Sequence, residues 1–166
     1  MPASEAQSRA FDGLIGSWRV ENRLLRERLA GSDDWIGFQA VSRVEPILDG
    51  LGNIDRFEAD LGGRPFSGFT VRIYDPTRDG WSLRWADNRS LRSGRGGMAP
   101  AFEGAFDASG TGRFAAVLDV EGRTIHARFT WRGIEGGTPT WEQAWAPSPD
   151  GPWETNWTMA FRRRHR

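Results

Sequence analysis

The sequence predicts an all-β fold, a single up-and-down antiparallel β-barrel of about ten strands preceded by a short N-terminal helix. Three observations predict it. Turn signals recur at eight places: Gly31-Ser32-Asp33-Asp34, Asp49-Gly50, Gly62-Gly63-Arg64-Pro65, Asp75-Pro76-Thr77-Arg78-Asp79-Gly80, Ser109-Gly110, Glu121-Gly122, Glu135-Gly136-Gly137 and Pro149-Asp150-Gly151. The stretches between them alternate apolar and polar residues with a period of two. No helical periodicity of useful length follows residue 14, so no crossover helix is available to join parallel strands. Two-faced strands joined by hairpins form a meander, and at this strand count a twisted meander closes on itself and removes its edges.

Taken in order, residues 1–10 form a polar lead-in and residues 11–166 a single barrel domain. Residues 4–14 are predicted helical, with Ser4 as N-cap. The stretch Phe11-Asp12-Gly13-Leu14-Ile15-Gly16-Ser17-Trp18 then reads as a plug: Gly16 allows a tight passage from helical turn to strand, and Trp18 delivers a large apolar surface into one end of the barrel. Inward faces follow as Trp18, Val20 and Asn22; Asn53, Asp55 and Phe57; Thr70, Arg72 and Tyr74; Trp81, Leu83 and Trp85; Phe114, Ala116, Leu118 and Val120; Ile125, Ala127, Phe129 and Trp131; Trp141, Gln143 and Trp145; and Trp153, Trp157, Met159 and Phe161. The opposite faces place Arg84, Asp119, His126, Arg128, Glu142 and Glu154 in water. One long, glycine-rich connection, residues 88–100, breaks the rhythm and is read as an irregular excursion.

Composition bounds the function. There is no Cys, which excludes disulfides, thiolate metal sites and a Cys nucleophile. All 22 basic residues are Arg and are matched by 22 acidic ones, so neither a nucleic-acid nor an anionic-membrane surface is expected, and Schiff-base and P-loop chemistry lack their Lys. Residues 1–10 lack the apolar region of a signal peptide and nowhere do 18 apolar residues run together, so a cytoplasmic location is expected. Arg and Glu throughout the strands disfavour an outer-membrane barrel. A homodimer is compatible with all of this.

The inward polar residues are the functional signal. A buried Arg72 needs an acceptor, and Asp55 is the nearest by strand order. The expected site is a cavity walled by Trp81, Trp85, Trp141, Trp145 and Trp157, with Asn53, Arg72, Tyr74 and Gln143 as its few polar contacts. It would hold a small apolar or aromatic molecule, with or without an anionic or carbonyl group for Arg72. The alternative is a cofactor-independent isomerase or cyclase with Tyr74 or Asp55 as acid or base. A third class, an interaction module, requires a filled barrel and an exposed apolar patch. Glu45, Asp49 and Asp55 fall around the second hairpin, where such residues support the backbone. Ser-His-Asp chemistry and a His-carboxylate metal site both lack converging histidines, so no metal is expected.

Gly16-Ser17-Trp18, then Gly68-x-Thr70-x-Arg72-x-Tyr74-Asp75 with Trp81 and Trp85, and the closing Trp153-Glu154-x-Asn156-Trp157-x-Met159-x-Phe161-Arg162 together resemble the calycin, or lipocalin-like, barrels, and most of all the bacterial DUF1579 family. The resemblance spans nearly the whole chain after Phe11. It implies that a basic residue of the last strand lies across the Gly-x-Trp indole, and counting by twos from Trp157 selects Arg163. The related nitrobindin-like barrels bind heme through a His near the C-terminal strand. Here His126 has outward parity, His165 lies past the last apolar residue, and that family's glycine-rich signature is missing, so no cofactor is expected.

Overall fold

The computed structural model describes residues 3–94 and 97–165, residues 3 and 4 by their backbone alone. The Ser4 capping side chain, and Arg95 and Gly96 of the long connection, therefore lie outside the described residues. Ten strands alternate around a closed wall: β1 (Gly16–Leu25), β2 (Trp35–Ile47), β3 (Gly52–Asp60), β4 (Pro65–Asp75), β5 (Gly80–Asp87), β6 (Phe102–Phe106), β7 (Gly112–Val120), β8 (Arg123–Arg132), β9 (Thr140–Ala146) and β10 (Glu154–Arg163). Each strand pairs antiparallel with its sequence neighbours, and β10 returns to β1 with Trp18 opposite Arg163 and Val20 opposite Phe161. The predicted ten-stranded up-and-down barrel is thus the observed fold. Among the described residues no helix is long and apolar enough to cross a membrane.

Three elements differ from the sequence reading. The predicted helix over 4–14 is two pieces, α1 (Ala3–Ser8) and a 3-10 turn (Asp12–Leu14). Breaking it lets Phe11 and Leu14 both turn into the barrel, where each is about 1 % exposed or less. The connection after β5 begins with a short helix, α2 (Asn88–Arg92), whose N-cap Asp87 accepts the Ser90 amide at 2.8 Å. In β10 the register shifts between Thr155 and Trp157, a bulge that buries Asn156 completely and reverses the parity before it. Trp153 is therefore not on the inward face: its ring lies 4.1 Å from the Arg128 guanidinium of the outward face of β8. Glu154 turns inward instead and accepts the Leu29 amide at 2.7 Å.

One end of the barrel is closed by the N-terminal segment. Phe11 meets Trp81, Phe106 and Trp131 edge-on, with ring centroids 5.0, 4.9 and 6.0 Å away. The Trp18 indole is fully buried and donates to the Leu14 carbonyl at 2.8 Å. Arg163 covers its face at 4.2 Å and donates to the carbonyls of Ile15 and Gly13 at 2.7 and 3.0 Å. Gly16 is required here: its φ of +127° suits glycine, and a Cβ would collide with the Arg163 guanidinium.

Candidate ligand cavity

Above the plug the inward side chains of β4, β5, β8, β9 and β10 leave a cavity of about 130 Å³. Its apolar wall includes Trp85, Trp141, Trp157, Phe102, Phe129, Leu118 and Met159. Phe102 and Phe129 stack face to face with centroids 3.6 Å apart, and Trp141 stands edge-on to Trp157 at 5.6 Å. The polar side is held by β2, β3 and β4, which contribute Ser42, Asp55, Thr70 and Arg72.

Arg72 is 3 % exposed and Asp55 6 %. Its Nη2 donates to Asp55 Oδ2 at 2.7 Å and its Nη1 to Asn53 Oδ1 at 2.8 Å, while the other Asp55 oxygen accepts the Thr70 amide at 2.7 Å. Alternation creates this cluster, because Asn53 faces Arg72 and Asp55 faces Thr70 across the β3–β4 ladder. The guanidinium also lies 5.5 Å from the Phe11 ring and 5.4 Å from that of Trp131. Its charge is therefore matched at short range. Three donors on lining residues nevertheless find no hydrogen-bond partner among the described residues: Arg72 Nε, Trp131 Nε1 and Ser42 Oγ. A buried donor without an acceptor costs about 1–3 kcal/mol, so these three give the cavity a polar side suited to an acceptor oxygen.

Of the residues expected to line the site, Arg72, Trp85, Trp141, Gln143 and Trp157 do so, and so does Asp55. Asn53 sits behind the guanidinium rather than on the cavity. Trp81 and Tyr74 belong to the plugged end: the Trp81 indole donates to the Gln7 carbonyl at 2.8 Å, and the Tyr74 hydroxyl donates to Asp79 Oδ1 at 2.7 Å. That hydrogen bond to a carboxylate raises the Tyr74 pKa above its ordinary value, the direction opposite to what a base at neutral pH needs. Trp145 lies toward the opposite end, 4.8 Å from the Arg28 guanidinium, whose pKa is lowered by burial. Between the cavity and that end, Trp157 Nε1 donates to Asn22 at 3.0 Å and Gln143 Nε2 donates to Asn156 at 2.8 Å. His126 stands between inward Ile125 and Ala127, His165 is exposed, and neither lines the cavity.

The sequence reading missed Ser42, Phe102 and Asn156, and it set Phe129 and Trp131 on an inward face without counting them in the cavity wall. The signal for Ser42 is its parity with Val44 and Ala40 on β2, a lone hydroxyl on an apolar face. Asn156 carries no signal, because the bulge that turns it inward leaves no mark in the pattern. No family model matches the chain, and no curated protein matches it in sequence.

Proposed function

We propose that the barrel binds a small, flat, apolar molecule about the size of a single aromatic ring. The carrying observation is the 130 Å³ cavity between stacked aromatic walls and a charge-matched Arg72–Asp55 pair. A dry cavity of about 150 Å³ accommodates benzene, whereas drug-sized ligands need roughly 300 Å³ or more. A neutral ligand fits better than an anion, since a carboxylate would add a second negative charge beside Asp55 in a site where one positive charge is already neutralised. The unpartnered donors of Arg72, Trp131 and Ser42 favour a ring that carries a carbonyl or ether oxygen. We also propose membership of the calycin barrels and of the DUF1579 family, which the closed barrel, the Gly16-Ser17-Trp18 plug and Arg163 lying over Trp18 support.

Benzaldehyde, toluene and benzoate test this as near-isosteric probes read by quenching of Trp fluorescence. Benzaldehyde should saturate at the lowest concentration, toluene next and benzoate last. Leu118→Trp, which fills the space, should abolish all three responses while the fold persists by circular dichroism. If none of the probes binds saturably, the ligand reading is lost.

A further inference from the structure

β4 is inverted in hydropathy. Its inward positions include polar Thr70 and Arg72, whereas its outward positions carry Phe69, Val71 and Ile73. A solvated sheet face ordinarily alternates the other way. The ladders place Ile54 of β3 beside Val71, and Gly52, which has no side chain, between Ile47 and Ile73. The patch runs on into the turn after β2, where Leu48 is 59 % and Leu51 52 % exposed, while Ile73 is 41 % exposed. Apolar residues thus run along the outer face of β4 and onto the neighbouring Ile54 and Ile47, while Arg43, Glu45, Arg56 and Glu58 keep the rest of the β2 and β3 outer faces charged, with Arg56 beside Phe69.

The charges flanking it select the partner. One row crosses four strands in the order Glu45, Ile54, Val71, Arg84. At about 4.8 Å per strand its charged ends stand about 14 Å apart with the apolar pair between them. A two-fold axis running along the strands between β3 and β4 turns this row end for end, so that Glu45 of each copy meets Arg84 of the other and Ile54 packs on Val71. The row is complementary to itself, which is what an interface between identical surfaces requires. We propose that this face is the interface of a homodimer in which two barrels pack β2 to β5 face to face, with aligned strands. Among the described residues Glu45 is held by the exposed Arg43 and Arg84 by a 3.3 Å bond to the Ala99 carbonyl, so both can turn to a second copy. Four strands by about six residues give a face of about 20 Å on each side, at the small end of specific interfaces, so the dimer should dissociate on dilution.

Sedimentation velocity from about 1 μM to about 500 μM tests it, with the fold of every variant checked by circular dichroism. Wild type should shift from monomer to dimer across that range. Val71→Arg, which sets two like charges against each other beside the axis, should remain monomeric throughout. Glu45→Arg and Arg84→Glu should each weaken the dimer about tenfold, and the double charge swap should restore it. A wild type that stays monomeric at the highest concentration overturns the proposal. So does a dimer that Val71→Arg leaves intact, or charge variants whose double swap fails to recover association. Wild type that stays monomeric but co-sediments with phosphatidylcholine vesicles would assign the stripe to a lipid surface instead.

Discussion

Trp18 and Arg72 occupy opposite situations: one is a large apolar ring with a single polar atom to satisfy, the other a cation that must be kept from water without losing its partners. Trp18→Ala removes the ring on which Phe161 and Arg163 rest and should cost about 3–5 kcal/mol in chemical denaturation. Arg163→Ala, which keeps the indole buried, should cost only about 1 kcal/mol. Asp55→Asn leaves a guanidinium buried without a counter-charge and should cost about 3–5 kcal/mol, whereas replacing the pair together, as Asp55→Leu with Arg72→Met, should come much nearer wild type. Equal losses for the single and the double variant would mean that the pair contributes packing rather than charge. The pairing was legible from sequence, because an inward Arg and an inward Asp on neighbouring strands leave each other as the nearest partner. Which indoles face the cavity was not. Trp81 and Trp85 share an inward face, yet they stand about 13 Å apart along β5, and only Trp85 reaches the cavity. Depth along the barrel axis depends on strand stagger, and period-two alternation carries no information about stagger.

At the scale of the elements, turns were the most readable part of the chain and single-residue irregularities the least. Aspartate and glycine at fixed offsets announce a hairpin, whereas the bulge at Asn156 changes only parity and so misplaced Trp153 and Glu154. The turn between β4 and β5 has its own signature. Asp75 accepts the Thr77 amide and hydroxyl at 2.9 and 2.6 Å and the Arg78 guanidinium at 2.7 Å, which holds its pKa down to about 2. A carboxylate whose folded pKa lies below its ordinary 3.8 favours the folded turn above that value and loses this contribution as pH falls toward 2. The Asp75 carboxyl and Thr77 amide resonances should therefore titrate together with a midpoint near 2, and Asp75→Asn should remove that acid step. A midpoint near 3.8 would mean that the turn is open in solution. The short β6 makes a different demand: a Cβ at Gly104 would collide with the Arg113 carbonyl across the ladder, whereas one at Gly37 meets only Asn22 O at 3.7 Å. Gly104→Ala should lose about 1–3 kcal/mol, and Gly37→Ala should stay close to wild type. Similar melting temperatures for the two would show that β6 yields freely.

For the whole molecule, closure governs behaviour. Nearly every wall contact joins neighbouring strands, yet the β1–β10 seam joins residues separated by most of the chain. Barrels with such pairings fold on the millisecond-to-second scale rather than in microseconds. The plug adds a second long-range condition, since Phe11 and Leu14 fill the barrel floor. Phe11→Ala should cost about 3–5 kcal/mol and open that end, read as new binding of an apolar dye; a variant that stays dark to the dye would mean that the floor is closed by the strands alone. Trp18 is wedged between the floor and Arg163, so the residue near the beginning of the barrel reaches its final surroundings only when one near its end arrives. During synthesis this ordering matters. A ribosome that has released β1 to β9 holds an unclosed sheet with its aromatic face exposed and two strand edges unpaired. Burial of that face waits for the last ten-residue strand, Glu154–Arg163, to emerge, and a chain stalled before it is left as a substrate for chaperones.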